Sequence, residues 1–170
     1  KYQSLYVALE QYSEKSWSNS IILDHEFADT APSGFSIGND LLVSRITVKP
    51  DRAAQIFLVK LSKGFTVNET WEFPRPDLDE SYIKFAARQS PFFYKGNPMM
   101  FFASLNQAND KYILFAYQRK EGRWDNLGIV TEFHQQSDFL PIVNENGDLS
   151  VLIHGKKENM IITLRDRRWI

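Results

Sequence analysis

Short apolar runs recur along the chain, and each is followed by a polar stretch and then by a tryptophan. The runs occupy residues 5–9, 56–59, 112–116 and 160–164. The tryptophans, spaced 54, 53 and 45 residues apart, are Trp17, Trp71, Trp124 and Trp169. Because such short runs are typical of buried strands, their recurrence about every 50 residues predicts stacked β-units. The fixed place of the tryptophan favours a structural role, packing between neighbouring units, over stacking on a sugar.

Three of the four runs are preceded by a hairpin pattern, at residues 35–43, 92–101 and 141–151. The turns are rich in Gly, Asn and Asp, which tolerate the positive φ of tight turns. A full repeat is therefore predicted to hold a hairpin, a third strand that the tryptophan ends, and a fourth strand, and two full repeats are flanked by two partial ones. After Trp71 the fourth strand is expected to be broken by Pro74 and Pro76, because proline cannot donate to a ladder. The last repeat is expected to lack a fourth strand.

The predicted fold class is all-β and propeller-like, with three to four blades of four antiparallel strands in a single domain. The repeats span approximately 1–30, 31–78, 79–135 and 136–170. Since the first repeat lacks its opening hairpin and the last lacks a fourth strand, the sequence does not fix how the ring closes. Three completions stay open: the chain belongs to a larger propeller, a second chain completes the ring, or four divergent units close a small ring.

Composition narrows the classes of function. The net charge of −1 gives no electrostatic case for binding nucleic acid. No apolar stretch reaches the roughly 18 residues of a membrane span, and the chain has no cysteine. Without metal-ligand spacing or a phosphate-binding glycine loop, no metal and no cofactor are expected. The basic stretch 165–168 is interpreted as a solvated strand end.

Two short motifs carry a family resemblance. Ser90-Pro91 and the segment 137–141 place a Ser or Asp shortly before a proline, and residues 122–128 combine Trp with a following Leu-Gly at a predicted blade end. In these features the chain resembles the WD-repeat-like propeller repeats of the TolB type, as in gram-negative cell-envelope proteins. The resemblance implies a periplasmic or secreted, non-catalytic propeller module that binds a protein or a glycan. A cytoplasmic location stays open.

Binding residues are expected near the first strand of each blade, because these strands line the central channel of a propeller. Arg88, on a predicted first strand, is expected to face the channel or to pair with a carboxylate. The polar residues nearest these strands are Arg88, Ser90, Asp138 and Asp79. The three histidines, at positions 25, 134 and 154, are interpreted as residues of edge strands and turns rather than as catalytic bases.

The alternative function is a glycoside hydrolase or lyase of propeller fold that acts on a carbohydrate. Its candidate acids are Asp24, Asp79 and Asp138, with Arg45 or Arg88 holding an anionic sugar. Such an enzyme needs two carboxylates, from different blades, that face one concave pocket. A binding module needs only exposed aromatic and polar loops, so convergence of carboxylates separates the two hypotheses.

Overall fold

The structure, a computed structural model, describes residues 8–9, 12–13, 16–17, 21–22, 33–47, 55–62, 66–74, 82–106, 108–134, 136–156 and 159–170. The described residues form strands and no helix. The strands of the first half are β1 Ala8–Leu9, β2 Tyr12–Ser13, β3 Ser16–Trp17, β4 Ile21–Ile22, β5 Ser33–Ile37, β6 Asp40–Thr47, β7 Gln55–Leu61 and β8 Val67–Phe73. The strands of the second half are β9 Tyr82–Tyr94, β10 Asn97–Asn106, β11 Lys111–Lys120, β12 Arg123–His134, β13 Asp138–Val143, β14 Leu149–His154, β15 Asn159–Arg165 and β16 Arg168–Trp169.

Twelve of these strands form three four-stranded antiparallel sheets, β5–β8, β9–β12 and β13–β16, each ordered as in the chain. The all-β prediction is therefore confirmed for the part of the chain that the structure describes. Strands β1 and β4 pair with each other, as do β2 and β3. The chain divides into two compact units, residues 1–75 and residues 76–170. A helix that could cross a membrane is not found among the described residues.

Tight hairpins join the strands of the second unit. Tyr94 pairs with Asn97, and Lys120 pairs with Arg123, so each of these turns has two residues. Both turn residues have positive φ, at 49° and 76° for Lys95 and Gly96. This type I′ geometry twists the backbone in the sense that the flanking strands require, and glycine adopts it at little cost.

The tryptophans lie elsewhere than predicted. The predicted place was the end of the third strand. Each tryptophan instead lies on the later strand of a hairpin and pairs with a residue of the strand before it. The partner stands five residues earlier for Trp17, Trp124 and Trp169, beside the hairpin turn. Trp71 instead pairs with Leu58, thirteen residues earlier, in the middle of its hairpin. A longer β7–β8 connection, closed by the Ser62 N–H bond to the Thr66 carbonyl at 3.0 Å, accounts for the difference.

Two predictions about fourth strands were wrong. The repeat around Trp71 has a complete fourth strand, β8, because the strand lies before the prolines rather than after the tryptophan and ends at Phe73. The last repeat also has a fourth strand, β16, which is only two residues long. The Asp166–Arg167 turn returns the chain so that Arg168 and Trp169 pair with β15.

In the first unit the core lies on the middle strands β6 and β7. Leu42, Leu58 and Leu61 are fully buried there, and Val43 packs with Val59 and Leu61. Strand β8 is exposed along residues 67–70 and buries only Phe73. This burial follows the order of the sheet, because a middle strand has neighbours on both edges.

In the second unit, sheet β9–β12 packs face to face on sheet β13–β16. The rings of Phe101 and Trp169 form a T-shaped pair with 6.2 Å between centroids, and those of Phe133 and Phe139 form another at 5.9 Å. The first strands of the two sheets, β9 and β13, contact each other, and so do the fourth strands, β12 and β16. Strands β10 and β11 are buried on both faces along six consecutive residues each, which explains their unbroken apolar runs.

Candidate binding site

Arg88 connects the first strands of the two sheets of the second unit. It lies on β9, where it pairs with Ala103 of β10. Its Nη1 donates to the backbone carbonyl of Ser137 at 2.5 Å and to Oδ1 of Asp138 at 2.7 Å. Both acceptors stand at the start of β13, so one guanidinium group holds that strand end against β9. A charged donor makes each of these hydrogen bonds stronger than a neutral one.

An aromatic platform lies under the guanidinium group. The Arg88 Cζ atom stands 4.7 Å from the centroid of the Tyr112 ring, within the range of a cation–π contact. Tyr112 in turn stacks on Phe133, with 5.5 Å between ring centroids. Because both rings are buried, the platform is rigid and limits the rotamers available to Arg88.

The ion pair is open to solvent on one side. The side chain of Asp138 is 85% exposed and that of Arg88 is 36% exposed. Asp138 therefore keeps one carboxylate oxygen for an incoming donor, while its other oxygen is held by Arg88. An exposed carboxylate beside a fixed cation is suited to hydrogen-bond a polar ligand such as a sugar or a peptide.

Both described histidines flank this ion pair. His154 is the cross-strand neighbour of Asp138, and its Nδ1 lies 2.8 Å from Oδ1 of Asn159. The backbone carbonyl of His134 accepts a hydrogen bond of 2.9 Å from the Ser137 N–H. Both histidine side chains are exposed, and His134 Nδ1 accepts from the Gln136 N–H at 3.3 Å. They lie at strand ends, where the sequence analysis expected edge or turn residues, and His25 lies outside the described residues.

Gly155 packs closely against the side chain of Ser137. Ser137 is only 3% exposed, and a Cβ atom on Gly155 would overlap its Oγ and lie 2.9 Å from its Cβ. It would also lie 3.2 Å from the Ser137 Cα, so the crowding reaches the backbone. The absence of a side chain at position 155 thus lets the 137–138 segment sit where Arg88 reaches it.

Of the predicted binding residues, Arg88 and Asp138 are brought together. Arg88 pairs with a carboxylate, one of the two outcomes that the sequence analysis allowed. Ser90 lies two residues along β9, on the same sheet face as Arg88, and is half-buried opposite Phe101. Asp79 and Asp24 lie outside the described residues. Arg45 lies on β6 opposite Phe57, and its side chain is also outside what the structure describes.

The tryptophans differ in their surroundings. Trp169 packs between the two sheets of the second unit, and its Nε1 donates to the Leu127 carbonyl at 3.0 Å. The Arg119 Cζ atom lies 5.8 Å from the centroid of Trp124. Trp71 donates from Nε1 to Oε2 of Glu69 at 3.1 Å on the exposed strand β8. The side chain of Trp17 lies outside what the structure describes.

Sequence reasoning missed Tyr112 and Gly155 as parts of this site. Tyr112 begins an apolar run, which predicts a buried residue of a strand. The structure confirms that Tyr112 is buried, and it also places the ring under Arg88. Gly155 follows His154 directly, and only its closeness to Ser137 shows its role. No local pattern identifies either residue, because each acts on a group more than 15 residues away in the chain.

Within the described residues, no group of three or more His, Asp or Glu side chains could hold a metal ion. No protein-family model, no curated protein and no solved structure matches the chain. The function is therefore inferred from the geometry around Arg88 and from the repeat.

Proposed function

We propose that the protein is a non-catalytic module of β-propeller type that binds a protein or a glycan in a bacterial cell envelope. Its blades are the four-stranded sheets, and its binding surface includes Arg88, Ser90 and Asp138. The observation that carries the proposal is the Arg88–Asp138 ion pair, which joins the first strands of two consecutive sheets and remains open to solvent.

The arrangement of the two sheets in the second unit supports the propeller. Neighbouring blades of a propeller pack face to face with their first strands together at the channel and their fourth strands together outside. Strands β9 and β13 are in contact, and so are β12 and β16, as that packing requires. Each sheet is also a four-stranded meander, as the blade of a propeller is.

The chemistry of the open side supports a polar ligand. Asp138 offers an exposed carboxylate, Arg88 adds a partly exposed positive charge, and Tyr112 fixes the position of the guanidinium group. Fixed polar groups on rigid strands lower the entropic cost of binding, because less side-chain freedom is lost. The envelope location follows the resemblance to TolB-type repeats and is part of the same proposal.

The enzyme hypothesis lacks an observation in its favour. Of its three candidate acids, Asp138 alone lies among the described residues, and it is exposed and held by Arg88. A general acid in glycoside hydrolysis needs the opposite surroundings, a low-dielectric pocket rather than an exposed strand end.

The test is binding of the purified protein to a glycan panel and to isolated gram-negative peptidoglycan sacculi. Ligands found in this way are then titrated by calorimetry against two site variants, Arg88→Gln and Asp138→Asn. We expect each variant to bind at least about tenfold more weakly, as is typical when a charged partner is removed from a polar contact.

Matched controls carry the same charge changes elsewhere in the second unit. Lys120→Gln lies in the β11–β12 hairpin and Asp125→Asn lies on β12, and both side chains are exposed. The controls should bind like the parent protein. Equal losses in control and site variants would contradict the site, and hydrolysis of a glycan by the parent protein would contradict the non-catalytic function.

A further inference from the structure

The outer face of sheet β13–β16, turned away from sheet β9–β12, carries an aliphatic row. Leu140, Leu152 and Ile161 pair directly across three neighbouring strands, β13, β14 and β15. Leu140 is 56% exposed and Ile161 is 62% exposed, while Leu152 between them is half-buried. Three aliphatic side chains side by side form a continuous apolar strip, unlike the single exposed apolar residues of an ordinary surface.

The preceding sheet has an equivalent row, and two of its three residues are covered there. Ser90, Phe101 and Ala116 pair across β9, β10 and β11. The two rows are equivalent in the repeat: Ser90 and Leu140 each precede a proline, and Ala116 and Ile161 each stand eight residues before a tryptophan. Phe101 and Ala116 are fully buried, and the Phe101 ring meets Trp169 of the following sheet.

The polar groups beside the aliphatic row already have partners, Asp138 in Arg88 of β9 and the others within their own sheet. On one side His154 Nδ1 lies 2.8 Å from Asn159 Oδ1, and on the other Ser150 Oγ lies 2.9 Å from Thr163 Oγ1. If the Asp138 carboxylate stays in solvent at the edge of the contact, burial of the row leaves few unsatisfied polar atoms, so the desolvation cost that protects most sheet faces is small here.

We infer that the Leu140–Leu152–Ile161 row is the contact surface for a second copy of this chain. Within the protein, the equivalent row is covered by a four-stranded sheet of the same repeat, so the partner that fits is another such sheet. A second copy supplies sheets of this kind with matching strand spacing and apolar faces. The contact continues the face-to-face packing already present between β9–β12 and β13–β16.

The test is the mass of the particle in solution, measured by light scattering over a dilution series of the purified chain. We expect the parent protein to be a dimer or a larger closed assembly. Leu140→Lys and Ile161→Lys each place a charge in the row, and we expect each to weaken association at least about tenfold, as burying an unpaired charge requires. Thermal unfolding of each variant at low concentration checks that the monomer is folded.

Two further variants keep the test decisive. Ile161→Thr retains strand propensity while removing apolar surface, and it should weaken association less than Ile161→Lys. Ile129→Lys changes an equally exposed isoleucine, at 53%, on strand β12 and should leave the mass unchanged. A parent protein that is monomeric at every concentration would overturn the inference. So would an assembly that survives both lysine variants in the row, because it would use another surface.

Discussion

The indole N–H of Trp169 donates a hydrogen bond of 3.0 Å to the backbone carbonyl of Leu127, 42 residues earlier in the chain. The same ring meets Phe101 edge-on, so one side chain contacts two strands of the opposing sheet. A two-residue strand, β16, is thereby attached to the core of the second unit. This anchor adds to the ladder of the short strand, which Thr163 and Ile170 extend with two reciprocal backbone hydrogen bonds of 2.8 and 3.0 Å.

Removing this anchor should lower stability in two separable steps. Trp169→Phe keeps an aromatic edge contact but loses the donor, and should lower the free energy of unfolding by about 1 kcal/mol. Trp169→Ala also loses the ring and should cost roughly 3 kcal/mol in this half-buried place. Urea unfolding followed by fluorescence or circular dichroism measures both losses.

Tyr94→Phe is a matched control for the lost hydrogen bond. It removes the 3.1 Å bond from Tyr94 to the Gly147 carbonyl and should resemble Trp169→Phe. Equal stability of Trp169→Ala and the parent would show that the ring packs against nothing.

A methyl group at position 155 should disturb the candidate site by displacing Ser137. Gly155→Ala would crowd the side chain and Cα of Ser137, and we expect a loss of roughly 2 kcal/mol of unfolding free energy. Ser137→Gly in the same chain should restore part of the loss, because it removes the crowded atoms. The control is Gly38→Ala, where φ is +57° and nothing lies within 4 Å, so only backbone strain of about 1 kcal/mol is expected. A Gly155→Ala protein as stable as the parent would contradict the close approach.

The turn of the last hairpin places two non-glycine residues at positive φ. Asp166 and Arg167 have φ of 47° and 62°, whereas the equivalent β11–β12 turn has glycine at its second position, Gly122. Arg167→Gly should raise the free energy of unfolding by about 0.5–1 kcal/mol, because glycine adopts positive φ without the steric cost of a Cβ atom. Arg168→Gly removes the same charge from strand β16 and should lower stability instead. Thermal melts of the two variants should therefore move in opposite directions from the parent.

The Arg88–Asp138 pair should contribute less to stability than its short distance suggests. Because Asp138 is largely exposed, solvent screens the attraction, and a double-mutant cycle of Arg88→Met and Asp138→Asn should give a coupling of about 0.5–1 kcal/mol. Arg88→Met alone should cost more than Asp138→Asn alone, since it also loses the Ser137 carbonyl and the Tyr112 ring. High salt should reduce the coupling. A coupling of several kcal/mol would mean that the pair is shielded from water.

Tyr117 should make stability fall in alkaline solution. Burial raises the pKa of the Tyr117 phenol above its ordinary value of 10.0, because desolvation disfavours the phenolate. The unfolded chain therefore loses this proton at lower pH than the folded chain. The stabilising contribution is complete below about pH 10 and is lost as the pH rises through the folded-state pKa. Unfolding free energies measured across this range should fall less steeply for Tyr117→Phe than for the parent. Identical slopes would show that Tyr117 titrates like an exposed tyrosine.

The regular spacing of the tryptophans was visible in the sequence, but their positions in the hairpins were not. The regular spacing arises because each tryptophan belongs to a third-to-fourth strand hairpin. Spacing alone does not say on which side of the turn a residue pairs, since that depends on loop length. The longer connection before β8 displaced Trp71 by several ladder positions, although its spacing in the chain stayed close to the others.

The sequence by itself determined the all-β class, the hairpins and most of the strands, because these depend on neighbouring residues. Apolar runs favour the extended chain, and turns such as Lys95-Gly96 tolerate positive φ wherever the chain later packs. Tertiary structure alone decided that Arg88 meets Asp138, that Gly155 meets Ser137, and that Trp169 reaches Leu127. Those contacts join residues 18 to 50 positions apart, and they depend on how whole sheets stack, which no local pattern records.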